Sequence, residues 1–143
     1  MYFFGTFEHS VDERGRVAIP ARYRHAFVDG GVLRAGPDGC VELYTQDGFE
    51  QEVQRRLGSE EGQSNRRIGG RRVRRGFLHG AYTVDLDRQG RVLLPPPLRQ
   101  DGALDGRAVV VGCGDYVEIW SPDAWAVELE RVAAEDAEQD EHV

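Results

Sequence analysis

Asp12-Glu13-Arg14-Gly15-Arg16-Val17-Ala18-Ile19-Pro20 returns 75 positions later as Asp87-Arg88-Gln89-Gly90-Arg91-Val92-Leu93-Leu94-Pro95, a shared D-x-x-G-R-V-x-[IL]-P. Two more blocks repeat around it. Upstream, Phe3-Phe4-Gly5-Thr6-Phe7 matches Leu78-His79-Gly80-Ala81-Tyr82 at the same offset. Downstream, Val41-Glu42-Leu43-Tyr44-Thr45 matches Val117-Glu118-Ile119-Trp120-Ser121, one position further on. Three blocks in constant order at a near-constant offset mark a duplicated unit.

Each copy reads the same way. Alternation through Phe3, Gly5 and Phe7 predicts a strand ahead of the motif. Asp12 can bond backbone amides in a turn, and Gly15 can take a positive φ. Val17-Ala18-Ile19 and Val92-Leu93-Leu94 are short strands, each stopped by proline. After Pro20, the spacing of Tyr23, Ala26 and Phe27 predicts a short amphipathic helix. In the second copy Pro95-Pro96-Pro97 predicts that this helix begins later or is shortened. Val32-Leu33 and Val109-Val110-Val111 continue as strands, followed by Val41–Tyr44 and Val117–Trp120. A closing helix follows in each copy, with Phe49, Val53 and Leu57 on one apolar face and Trp125, Leu129 and Val132 on the other. Thr45 and Ser121 stand at N-cap positions, and Pro122 at the first helical position. The unit is β-β-α-β-β-α, given twice.

The expected organisation is therefore a first repeat over 1–57, a connector over 58–76, a second repeat over 77–134 and a tail over 135–143. Gly58 to Asn65 is rich in Gly, Ser, Gln and Glu and reads as a linker. The stretch Arg66 to Arg75 can form a helix, although Gly69 and Gly70 each cost it about 1 kcal/mol relative to alanine. The tail reads as acidic and disordered. The fold class expected is α+β, mainly β.

The 143 residues suffice for one domain or two very small ones, and each half alone would be marginal. Cys40 and Cys113 lack CxxC spacing and partner histidines, so no metal or other cofactor is expected and both read as reduced thiols. There is no basic leader, and no apolar run approaches the ~20 residues of a membrane span. A cytoplasmic chain without a membrane partner is expected. The net charge of −7 argues against nucleic acid at first sight, but Glu135, Asp136, Glu138, Asp140 and Glu141 carry five of those charges, leaving about −2 elsewhere. All 18 basic residues are arginine, whose planar fork suits phosphate and the guanine edge.

The doubled motif resembles the SpoVT/AbrB-type DNA-binding module. Two such modules in one chain, each followed by E-[IL]-[WY] and an aromatic-headed helix, resemble the MraZ family over about residues 2–133. Phe3-Phe4-Gly5-Thr6, His79-Gly80-Ala81 and Asp115-Tyr116-Val117-Glu118-Ile119-Trp120 fit the same pattern. The resemblance implies tandem swapped-hairpin units and assembly of copies into rings. It also implies a nucleoid-associated transcriptional regulator that binds double-stranded DNA at short repeated sites upstream of a cell-division and cell-wall operon. Carried over by position, the DNA-contacting residues are Arg16 in the loop and Arg24 after the proline. Arg14 and Arg22 join them because they flank those positions and are chemically suited. The bland alternative for Arg16 is an ion pair with Asp12. In the second copy, Arg91 and Arg99 occupy the matching positions, but Gln89 stands opposite Arg14, so a structural or assembly role is expected there. The cluster Arg66, Arg67, Arg71, Arg72, Arg74 and Arg75 suits phosphate or the acids of a neighbouring subunit equally well.

Catalytic constellations are missing. His9, His25, His79 and His142 lack metalloprotease or relay spacing, and Gly69-Gly70-Arg71 is no phosphate loop. Gly112-Cys113-Gly114 reads as a turn, and Glu42 and Glu118 as architectural repeats. Two other classes stay open: an antitoxin-like protein-interaction module, and a hydrolytic enzyme using Cys113 or the glutamates.

Overall fold

The structure is a computed structural model that describes residues 2–58 and 68–141. In chain order its elements are β1 (Thr6–Ser10), β2 (Arg16–Ala18), α1 (Ala21–Arg24) with a 3-10 turn at His25–Phe27, β3 (Gly31–Ala35), β4 (Val41–Thr45) and α2 (Gln46–Leu57). Then come α3 (Ile68–Leu78), β5 (Tyr82–Val84), β6 (Arg91–Leu93), α4 (Pro96–Asp101), β7 (Arg107–Gly112), β8 (Val117–Trp120) and α5 (Pro122–Glu141). With α3 set aside, the order is the β-β-α-β-β-α unit twice.

Strand pairing makes the two copies depend on each other. Six strands form one antiparallel sheet in the order β1-β7-β8-β4-β3-β5, and β2 pairs with β6 in a separate ribbon. Exchanging each strand for its repeat partner turns the six-strand order into its own reverse. A pseudo-twofold axis therefore passes between β4 and β8, where Glu42 faces Glu118, and between β2 and β6, where Val17 faces Val92. Each copy's first strand is donated to the other: β1 pairs with β7 and β5 with β3. A half of this size would be marginal alone, and the exchange lets both halves share one core. That core holds Val17, Ile19, Leu33, Leu43, Val92, Leu94, Val110 and Ile119, none more than 2% exposed. On the sheet's other side, Cys40, Val109, Val111 and Trp120 are covered by Ala124 and Trp125 from the start of α5.

Thr45 Oγ1 accepts from the Gly48 amide at 2.9 Å and Ser121 Oγ from the Ala124 amide at 3.2 Å, so both closing helices are capped by the expected side chains. Gly15 and Gly90 take φ of 86° and 76°, as the motif turn requires.

Three expectations change. Residues 3–7 are not one strand: Gly5 takes φ 93°, β1 starts at Thr6, and Phe3 makes a single bridge to Gly114. The triple proline does not delay the second post-motif helix. α4 begins at Pro96, the counterpart of Ala21, because a proline in the first turn lacks only an N–H that would have no intrahelical partner. The tail is not disordered through its length, since α5 continues to Glu141. Beyond Val132 it holds only alanine, glutamate, aspartate and glutamine, with no glycine or proline to stop a helix already nucleated on the sheet. The linker residues 59–67 and the last two residues lie outside the described residues. No described helix is long and apolar enough to cross a membrane.

Candidate nucleic-acid interface

The D-x-x-G-R motif builds its own scaffold. Asp12 Oδ1 accepts from the amides of Arg14 (3.0 Å) and Arg16 (2.9 Å), while Oδ2 accepts from Arg16 Nε at 2.6 Å. Asp87 repeats the arrangement: Oδ1 takes the amides of Gln89 (2.9 Å) and Arg91 (3.0 Å), and Oδ2 takes Arg91 Nε at 2.9 Å. In each loop the glycine amide donates to the aspartate carbonyl at 2.9 Å. The hydrogen bond from the Arg16 amide, ahead of that from its guanidinium, holds the Asp12 carboxyl below the usual carboxylate range, and the Arg91 amide does the same for Asp87. The motif spacing thus fixes loop and arginine together.

The ribbon then brings the two loops side by side. Leu94 N–H donates to Gly15 O and Ile19 N–H to Gly90 O, both at 2.9 Å, so each strand is zipped to the other copy's loop. With Val17 and Val92 buried, the alternation of a strand sends residues 16, 18, 91 and 93 to the outer face. Arg16 lies opposite Leu93, and Arg91 opposite Ala18. The two arginines are diagonal across the pseudo-twofold axis, and Arg91 Nη1 reaches Asp12 Oδ2 at 3.5 Å. Both stay partly exposed, at 30% and 24% of the side chain. The ion pair between Arg16 and Asp12 is present, and it orients the guanidinium without removing it from solvent.

The remaining sequence candidates fall in different places. Arg14 is exposed beside the ribbon and makes no ion pair among the described residues. Arg22 is exposed and sits over the Phe4 ring at 5.0 Å. Arg24 donates from Nε to Ile19 O at 2.9 Å and lies so close over Gly90 that a β-carbon there would overlap its guanidinium. Arg99 mirrors it over Gly15 and is more heavily engaged, donating to Leu104 O at 3.1 Å, Glu13 O at 3.2 Å and Asp105 at 3.3 Å. Each of these arginines clamps the loop of the other repeat. The doubled spacing Pro20 to Arg24 and Pro95 to Arg99 carried that signal, but its meaning depends on the exchanged pairing. Arg71, Arg72, Arg74 and Arg75 are exposed on α3, while Arg66 and Arg67 lie outside the described residues.

The glutamates and cysteines that a hydrolytic reading would use are engaged or buried. Glu42 is 3% exposed, pairs with Arg34 at 2.8 Å and accepts from Tyr44 Oη at 3.1 Å. Glu118 accepts from Trp120 Nε1 at 3.0 Å. Burial, ahead of the Glu118 charge, pushes the Cys113 thiol up to about 12 and the Cys40 thiol higher still. Neither is a thiolate at neutral pH, as a nucleophile would need to be. A cleft of about 890 Å³ beside the first loop, lined by Arg14, Arg99, Tyr82 and Leu94 among others, holds no histidine, cysteine or serine. Among the described residues, no cluster of histidine, cysteine and carboxylates could hold a metal.

Comparison with known proteins bears on the same residues. A family model described as "MraZ protein, putative antitoxin-like" matches residues 2–69 and 77–142. The chain is 44% identical over 133 residues to the transcriptional regulator MraZ of Thermomicrobium roseum, covering 93% of this chain and 91% of that protein. It is 38% identical over 141 residues to the protein of the same name from Herpetosiphon aurantiacus, covering 99% and 96%. The protein of that name from Mycoplasmoides gallisepticum is 33% identical over 123 residues, covering 86% and 84%.

Proposed function

Since the chain belongs to the MraZ family, whose curated relatives are named transcriptional regulators, we propose that it regulates transcription by binding double-stranded DNA through the outer face of the β2–β6 ribbon. The observation that carries this reading is the pair Arg16 and Arg91, set diagonally across the pseudo-twofold axis on a two-stranded ribbon and each braced by its own aspartate. A two-stranded ribbon fits the major groove, and a braced guanidinium can bond O6 and N7 of guanine or neutralise a phosphate. Arg14 adds an exposed base on the side of the first loop. The first repeat, over 1–57, supplies most of the reading surface through Arg14 and Arg16, and the second, over 77–134, supplies a matching loop with Arg88 and Gln89 in place of Glu13 and Arg14.

One ribbon makes few contacts. Useful affinity then comes from several copies engaging repeated sites together, as effective concentration multiplies weak contacts. The target is the DNA upstream of the chain's own gene, in a cell-division and cell-wall operon, and the protein acts as a homo-oligomer in the cytoplasm at the nucleoid. Titration against that upstream DNA and a scrambled duplex, over a salt series, tests the reading. Tighter binding to the upstream duplex, weakening steeply with salt, is expected. Equal affinity for both duplexes would overturn sequence-specific regulation.

A further inference from the structure

The pseudo-twofold relation between the repeats fails at one place. α2 and the first turns of α5 are counterparts, capped by Thr45 and Ser121. Phe49, Val53 and Leu57 of α2 correspond in sequence to Trp125, Leu129 and Ala133 of α5. In the first repeat this face is closed by α3. Phe77 stacks on Phe49 with ring centroids 5.7 Å apart, the guanidiniums of Arg34 and Arg56 lie 4.4 Å and 4.7 Å from the centre of the Phe77 ring, and Leu57 is 4% exposed. Among the described residues nothing closes the matching face of α5: Leu129 is 50% exposed and Val132 42%. α3 also has an unfinished end. Val73 lies one turn before Phe77 on the same face and is 59% exposed.

The two unfinished surfaces carry opposite charge. Past Leu129, α5 bears Glu130, Glu135, Asp136, Glu138 and Asp140 against the single Arg131, all exposed. Around Val73, α3 bears exposed Arg72, Arg74 and Arg75 and no acid. We propose that α5 of one copy docks on the free end of α3 of a second copy, with Leu129 and Val132 against Val73 and the acids ringed by the arginines. The inference rests on the self-assembly in the function proposed above and assigns the arginine cluster of α3 to assembly rather than to DNA. The two faces differ, so the contact is heterologous. It propagates head to tail, and it ends in a ring only where the rotation between copies closes.

Two full-length variants test it, by native mass and sedimentation at micromolar concentration without DNA. Leu129→Asp with Val132→Asp spoils the α5 face and leaves α3 intact. Arg72→Glu with Arg74→Glu, on either side of Val73, does the reverse. All four side chains are exposed in the single chain, so the circular-dichroism spectra of the folded variants should match wild type. Each variant alone should fall to the mass of one chain. An equimolar mixture should recover pairs, held by the one contact still intact, and nothing larger. Wild-type mass retained by either variant alone, or a single-chain mass for the unmodified protein, would overturn the contact. If the helix variants stay assembled while Arg16→Ala loses upstream DNA, the contact is wrong and the DNA reading stands.

Discussion

The loop Asp12–Gly15 and the loop Asp87–Gly90 are built on one frame, with the same carboxylate bonds, the same glycine turn and the same arginine at the strand entrance. They differ in what surrounds that frame. The first loop has exposed Glu13 and Arg14 where the second has exposed Arg88 and Gln89. The first is tied to Arg99 by a hydrogen bond to Glu13 O, the same guanidinium being held by Leu104 O and Asp105 of its own repeat, whereas Arg24 bonds Ile19 O of its own repeat and meets the second loop only through its tight seat over Gly90. Arg91 is divided between Asp87 and Asp12, while Arg16 is given to Asp12 alone. The frame is shared and its decoration differs: the first loop places Arg14 directly before the turn glycine and is tied to the other repeat's arginine by a hydrogen bond. That difference is the physical ground for placing most of the DNA reading in the first repeat.

The largest effect expected on the frame comes from its glycines. Gly90→Ala should destabilise more than Gly15→Ala. Both place a side chain at positive φ, at about 1–2 kcal/mol, but only the Gly90 substitution must also displace the Arg24 guanidinium, whereas at Gly15 the nearest atom of Arg99 is 3.2 Å from the new carbon. Denaturant melts of both variants decide it, and equal losses would mean that Arg24 moves aside freely.

The clamps come next. Arg99→Met should speed amide exchange at residues 13–15 and weaken upstream DNA about tenfold, roughly 1.4 kcal/mol, in line with losing hydrogen bonds to a charged group. Arg24→Met should loosen residues 88–90 and cost less affinity. A larger loss for Arg24→Met would show that Arg24 itself touches DNA. A gain of function sharpens the comparison further: Gln89→Arg gives the second loop a base at the position that Arg14 holds in the first. It should tighten binding a few-fold and steepen the salt dependence by about 0.9 in log-log slope if it meets one phosphate.

The smallest effect is a flat one. Asp12 and Asp87 are held below the ordinary carboxylate range, so the stability they contribute is present above their unfolded value. It is lost only as the pH falls through the lower, folded value. Amide protection of both loops should therefore be level from about pH 5 to 8, where carboxylates of ordinary pKa near 4 are ionised. Protection that fades between pH 6 and 5 would contradict the tether.

Much of this was legible in the residues because the decisive interactions are local. Asp12 bonds amides two and four positions on, Gly15 must turn at positive φ, and Thr45 and Ser121 cap the helices they precede. The exchange of β1 and β5 between repeats was not legible from period or propensity, since either pairing buries the same faces; it entered only through the family resemblance. Arg24 and Arg99 follow from it. From the sequence alone Arg24 reads as a DNA contact and Arg99 as a structural or assembly residue, and the ribbon adds to both a seat against the opposite loop. Phe77 was missed for the same reason, because its partners Phe49, Arg34 and Arg56 are distant in sequence. The helical tail was missed because composition alone, acidic and poor in large apolar residues, describes a solvated helix as well as a disordered segment.

The central claim is that the ribbon's arginines read DNA and that the first loop leads. Arg16→Ala and Arg91→Ala proteins, with oligomeric mass checked to equal that of wild type, should be titrated against the upstream DNA over a salt series. Arg16→Ala should lose ~1–3 kcal/mol for each base contact, repeated in every engaged copy, and should show a shallower salt slope if that residue meets phosphate. Arg91→Ala should lose measurably less. Equal losses would contradict the lead given to the first loop, and wild-type affinity for Arg16→Ala would place the reading surface elsewhere.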